Sequence, residues 1–146
     1  MATPATRRSP ATEAWKLVGD LMATQRGWFL DVVREFELSP PQLFALRALE
    51  PGEATPMGDL AAHLHCDNSN VTGIVDRLER RGLVERRAAT HDRRVKHLVL
   101  TDEGVAVRRR IETRLEAGPN PLAALDPADQ RALRDLLRKA AAAQES

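Results

Sequence analysis

A single interruption constrains this chain more than any other feature of its sequence. Met57, Leu60, Ala61 and Leu64 recur at helical spacing. The polar run Cys66-Asp67-Asn68-Ser69-Asn70 breaks the pattern for a few residues only, and Val71, Ile74, Val75 and Leu78 resume it at i, i+3, i+4 and i+7. Gly82 closes the second helix, because glycine enters the left-handed backbone that ends helices without a Cβ penalty. Two short helices joined by so tight a polar turn make a helix-turn-helix. Directly beyond it, the β-compatible stretches Leu83 to Arg87 and Val95 to Leu100 flank the polar loop Ala88 to Arg94 and read as a hairpin, which makes the motif winged.

The remaining punctuation is helical. Ser9-Pro10 supplies an N-cap and a proline at the first helical position, and one long helix is expected from there to about Glu37. Trp15, Val18, Met22, Gln25, Phe29, Val32 and Phe36 form its stripe, widened by Leu17, Leu21 and Trp28. That length exceeds what burial in a small core requires, so part of it is expected to pack on another subunit. Ser39-Pro40-Pro41-Gln42 opens a second helix with a capping box, and Thr55-Pro56 is read as the start of the third. Thr101-Asp102-Glu103 caps a fifth, with Val105, Ile111 and Leu115 as its stripe; Gly118-Pro119-Asn120-Pro121 breaks it. Asp126-Pro127-Ala128-Asp129 opens the last, with Leu133, Leu136, Leu137 and Ala140 on one face. The fold class is therefore mainly α with a small β-hairpin, in a single domain of 146 residues.

Composition removes several function classes. No apolar run approaches the roughly 20 residues of a membrane-spanning helix. The N-terminus, with Arg7, Arg8, Ser9 and Pro10, has no apolar core of a secretory signal, so a cytoplasmic location is expected. One cysteine, Cys66, allows neither an intramolecular disulfide nor a cysteine-only zinc site. H-E-x-x-H, G-x-S-x-G, Walker and G-x-G-x-x-G motifs are all missing, and no enzymatic activity or cofactor is expected. Net charge is only +1, yet Arg86, Arg87, Arg93, Arg94 and Lys96 against Asp92 make residues 86–96 locally +4, leaving −3 elsewhere. The wing is an anion-seeking edge.

With Val71, Ile74, Val75 and Leu78 turned inward, the fourth helix keeps Asn68, Ser69, Asn70, Thr72, Gly73, Asp76, Arg77 and Arg80 for solvent or DNA. Short amides and hydroxyls at a helix N-terminus reach base edges, and Gly73 permits close approach. In the wing, Arg93 or Arg94 suits the negative potential of a narrow minor groove. Asp92 is assigned the role of holding a neighbouring arginine by a charge-assisted hydrogen bond.

The run Asp92-Arg93-Arg94-Val95-Lys96-His97-Leu98-Val99-Leu100-Thr101-Asp102-Glu103-Gly104 resembles the D-x-R wing signature ending in L-T-x-x-G of the MarR family of transcriptional regulators. Val71 to Arg86, with Val75-Asp76-Arg77-Leu78-Glu79 and Gly82-Leu83-Val84-Glu85-Arg86, is similar to that family's recognition helix and first wing strand. The resemblance implies a winged helix-turn-helix homodimer, with residues 39–100 as the DNA-binding part and residues 10–37 and 101–143 as dimerisation helices. It implies binding of a pseudo-palindromic double-stranded DNA site, repression, a nucleoid-associated location when bound, and release by a small effector. By position Asp92 and Arg94 match the signature pair, and Arg86 the basic residue closing the first wing strand.

Trp15 and Trp28 are candidates to line the effector pocket that the resemblance implies between dimerisation and DNA-binding parts. His63, His65 and Cys66 raise a metal- or redox-responsive reading, but His63 and Cys66 share a helix face from which His65 points away, and zinc needs three or four convergent ligands. No metal site is therefore assigned, and Cys66 is read as a small buried hydrophobe. The rival of a different class is a winged-helix module that docks on protein without specific DNA readout.

Overall fold

The helices of the computed structural model, which describes residues 9–144, begin where side chains cap them. In α1 (Pro10–Glu35) the Ser9 hydroxyl accepts from the Thr12 amide, and in α2 (Pro40–Ala48) Ser39 and Gln42 form the reciprocal capping box. Asp67 caps α4 (Asn68–Arg80), Thr101 caps α5 (Asp102–Glu116) and Asp126 caps α6 (Pro127–Ala142). The exception is α3 (Met57–His63), which has no side-chain cap because the chain enters it from a strand.

That strand corrects the expected helix start at Thr55-Pro56. Thr55–Pro56 forms β1, pairing antiparallel with Leu98 and His97 of β3 (Lys96–Leu100), while β2 (Val84–Ala88) pairs along the other side of β3. The expected hairpin is thus part of a three-stranded sheet in the order β1-β3-β2. Pro56 lacks the amide that a central strand needs, and an edge position makes no such demand.

Contacts divide the chain into two compact units: residues 26–118, and the described parts of 1–25 and 119–146. The first holds the core. Val32 of α1, Leu43 and Leu46 of α2, Leu60 of α3, Val71, Val75 and Leu78 of α4, Leu98 of β3 and Ile111 of α5 are all buried. Each contributes about 1.5–3 kcal/mol by leaving water, before the entropy of ordering is charged against it.

Three helix ends in this unit share one device. Gly82, with φ of 70°, sits just past α4; its amide donates to the Glu79 carbonyl and the Leu83 amide to that of Leu78, the two bonds of a Schellman turn. His65 closes α3 and Glu37 closes α1 with the same pair of bonds and φ of 52° and 54°. The Arg81 guanidinium, at the end of α4, donates to the Phe36 and Glu37 carbonyls, so it satisfies acceptors at the end of α1. Arg47 of α2 donates through two nitrogens to Glu112 of α5, and Arg108 of α5 pairs with Glu50. These pairs are separated by more than 50 residues and have no signature in periodicity.

The L-T-x-x-G run acquires a structural reason here. Thr101 accepts the Gly104 amide as the α5 cap while its own hydroxyl donates to the Gly82 carbonyl. A Cβ on Gly104 would lie 1.9 Å from the Leu83 carbonyl oxygen, so only glycine lets α5 sit against the backbone that enters β2.

In the second unit α6 buries no residue, and a short 3-10 turn, Pro121–Ala124, follows the glycine-proline break. Val18, Leu21 and Met22 of α1, Pro121, and Leu133 and Leu137 of α6 line an apolar groove of about 330 Å³.

Candidate nucleic-acid interface

The start of α4 is built by Asp67. Its carboxylate accepts the Asn70 amide at 2.9 Å and the Ser69 hydroxyl at 2.8 Å, and these bonds, the backbone one foremost, hold its pKa below the usual carboxylate range. Thr72 donates its hydroxyl back to the Asn68 carbonyl. Val71, Val75 and Leu78 anchor the inner face, with Ile74 half-buried. Asn68, Ser69, Asn70, Thr72, Gly73, Arg77 and Arg80 are exposed. Nothing meets a Cβ built on Gly73, so the helix surface is open there.

Asp92 is employed differently from the expectation. Its carboxylate accepts the Arg94 backbone amide at 2.9 Å and its carbonyl accepts the Val95 amide at 3.1 Å, so it shapes the reverse turn Asp92 to Val95 and, among the described residues, holds no guanidinium. Arg93 and Arg94 occupy the centre of that turn and are exposed, as is Lys96 at the start of β3.

Arg86 also departs from the expectation of an open DNA-contacting side chain. It is half-buried, with its guanidinium donating to Asp76 and, at 2.8 Å, to Glu79 of α4. Burial opposes its charge, but the hydrogen bond it donates to Asp76 and the two nearby carboxylates outweigh that and raise its pKa. The Arg86 amide donates to the other oxygen of Glu79, capping an outward-facing donor of the edge strand β2. Asp76 and Glu79 were invisible as partners of Arg86 in the sequence. Their i, i+3 spacing on α4, opposite a basic residue just past the turn, is the one signal that points to them.

Trp15 is 74% exposed. Trp28 is half-buried under the Arg114 guanidinium, 4.7 Å from the ring centroid, and packs against Gly118, where a Cβ would meet the indole nitrogen at 2.1 Å. A larger concavity, about 540 Å³, lies between α2, α3 and α5, lined by Phe44, Arg47, His63, His65, Arg108 and Glu112; neither tryptophan lines it. Cys66 is half-buried rather than buried, in a separate concavity with Phe44, Leu64 and Ile74. Among the described residues no group of three or more His, Cys, Asp or Glu side chains is arranged to hold a metal, and no helix is long and apolar enough to cross a membrane.

An open-faced helix after a tight turn, followed by a basic-tipped wing, is the geometry of a winged helix-turn-helix, and residues 38–96 match the family model described as MarR family. Over that segment the chain is similar to the MarR family. It is similar to the HTH-type transcriptional repressor MdtR of Bacillus subtilis, with 37% identity over 75 residues, 51% of this chain and 48% of that protein. The match thus spans about half the length of that curated relative. A MarR family protein from Bacillus stearothermophilus shares the fold, with a TM-score of 0.81 at 24% identity over 97% of this chain and 100% of that one. A structure of NadR in complex with 4-hydroxyphenylacetate is similar at a TM-score of 0.68 and 26% identity, covering 97% of this chain and 98% of that one.

Proposed function

We propose that this chain is a sequence-specific, double-stranded-DNA-binding transcriptional regulator of the MarR family, a repressor that works as a homodimer and is released by a small aromatic or anionic effector. One observation carries the reading: the open face of α4 bears Asn68, Ser69, Asn70, Thr72, Gly73 and Arg77, and the same compact unit carries the exposed Arg93, Arg94 and Lys96 of the wing. The amides and hydroxyls of α4 suit base edges in the major groove, and the wing arginines suit phosphates and a narrow minor groove. In this reading Asp92 contributes by shaping the turn that carries those arginines, and Arg86 acts from behind α4.

Homodimerisation is supported by the apolar side chains left open in residues 9–25 and 119–144, among them Trp15, Met22, Leu136 and Leu137. Two-fold symmetry then calls for a pseudo-palindromic operator and recognition helices about 34–36 Å apart, one turn of duplex. Effector control is supported by the relative NadR, whose complex holds 4-hydroxyphenylacetate, and by a concavity that sets Phe44 beside Arg47 and Arg108, where an aromatic acid would compete with Glu112 and Glu50 for the guanidinium groups. To weaken operator binding tenfold, such a molecule must favour the DNA-incompetent state by about 1.4 kcal/mol.

Selection from a random duplex library tests the reading. Wild-type protein is expected to enrich an inverted repeat, to hold it with an affinity that falls steeply with salt, and to release it to one or more aromatic acids that also raise the melting temperature. Enrichment of no sequence, or retention indifferent to salt, would contradict DNA readout; an absence of any releasing compound would contradict effector control alone.

A further inference from the structure

We infer that Arg86, Asp76 and Glu79 form a clip that fixes the wing to the recognition helix, making Arg86 a positioning residue for DNA reading rather than a DNA contact. The inference rests on the DNA-binding reading above and goes beyond it.

Three hydrogen bonds join β2 to α4 at this point: the Arg86 guanidinium to Asp76 and to Glu79, and the Arg86 amide to Glu79. Asp76 and Glu79 lie three residues apart on α4, one turn beyond Thr72 and Gly73, and the planar guanidinium gives each carboxylate its own nitrogen in a fixed fork that a point-charge ammonium does not provide. The geometry explains two further observations. Arg86 keeps only 23% of its side-chain surface exposed while Arg93 and Arg94 beyond it are open, so its charge is already engaged before any phosphate arrives. Asp76 and Glu79 keep 47% and 41%, so without Arg86 two carboxylates would stand unneutralised on the helix proposed to approach a polyanion. The clip therefore sets the spacing between the base-reading surface of α4 and the arginines at the wing tip, and it masks acid on the reading helix.

A paired substitution separates a clip from a direct contact. In the double variant Asp76→Ala, Glu79→Ala both acceptors are gone and Arg86 is free, so a direct-contact role predicts tighter binding to every duplex. The clip predicts the reverse: the preference for the duplex enriched by wild type over a random-sequence pool should fall about tenfold, within the discrimination normally supplied by one base contact, while the melting transition stays cooperative. Arg86→Lys, which keeps the charge and should fold, is expected to lose the same preference with an unchanged salt slope. Equal or tighter selective binding by either variant would overturn the clip. Wild type run beside them keeps the two readings apart, since a wild type that selects no duplex overturns the DNA-binding reading itself, whereas a selective wild type with equally selective variants overturns only the clip.

Discussion

Asp92 shows how one side chain can hold the right position for an unexpected reason. Its carboxylate meets the Arg94 amide, a bond that asparagine can also accept, whereas a guanidinium partner would require the charge. Asp92→Asn is therefore expected to bind duplex DNA close to wild type and Asp92→Ala clearly more weakly, measured by fluorescence anisotropy; equal losses in both would restore the charge-pairing role. Gly104 makes a similar point about packing. Because the atom that an added methyl would strike is the Leu83 carbonyl rather than a side chain, it has little room to give. Gly104→Ala should lower the unfolding free energy by about 1–3 kcal/mol in a urea titration, and a neutral result would mean that α5 slides freely on β2.

Among the elements, α4 carries both the turn and the reading face, and its start depends on an ionised cap. Asp67 has its pKa lowered in the folded chain, so its stabilisation of α4 is fully present above the ordinary carboxylate range and is lost as pH falls through the lower folded value. Protection factors of the amides at the start of α4, with the intrinsic pH dependence of exchange divided out, should fall in acid in wild type and respond less to pH in Asp67→Asn; identical profiles would show that the cap does not govern this end. Such local chemistry was legible in the sequence. Ser39-Pro40-Pro41-Gln42, Thr101 and Asp126 cap the helices they were expected to cap, and Val71, Val75 and Leu78 face inward as their spacing requires. Elements defined by distant partners were not legible. Thr55–Pro56 has no periodicity of its own, and its strand character comes from Leu98 and His97, some 40 residues away. Arg86 reads as one more basic residue in a charged run until α4 and β2 are brought together. Its expected DNA contact therefore could not be separated from an internal one.

At the scale of the whole molecule, the unit of residues 26–118 has a buried core, whereas the described parts of 1–25 and 119–146 leave their apolar surface open. Trp15 at 74% exposure, Met22 at 69% and Leu136 at 64% are hard to account for in an isolated chain, and a second copy supplies the missing partner in the proposed dimer. Sedimentation equilibrium should find a dimer across the micromolar range, and paired charges at Met22 and Leu136 should shift it to monomer; a wild-type monomer at every concentration would contradict the proposed assembly.

In the proposed division of labour the α4 face reads bases and the wing tip binds the DNA backbone and minor groove. A salt titration of duplex affinity for wild type, Asn70→Ala and Arg94→Ala tests it most directly. Asn70→Ala should lose preference at particular positions of the selected duplex, at a cost of about 1–3 kcal/mol with the salt slope nearly unchanged. Arg94→Ala should weaken binding to all duplexes and reduce the slope by about one. Uniform loss with a reduced slope in Asn70→Ala, or an unaltered slope in Arg94→Ala, would contradict the account.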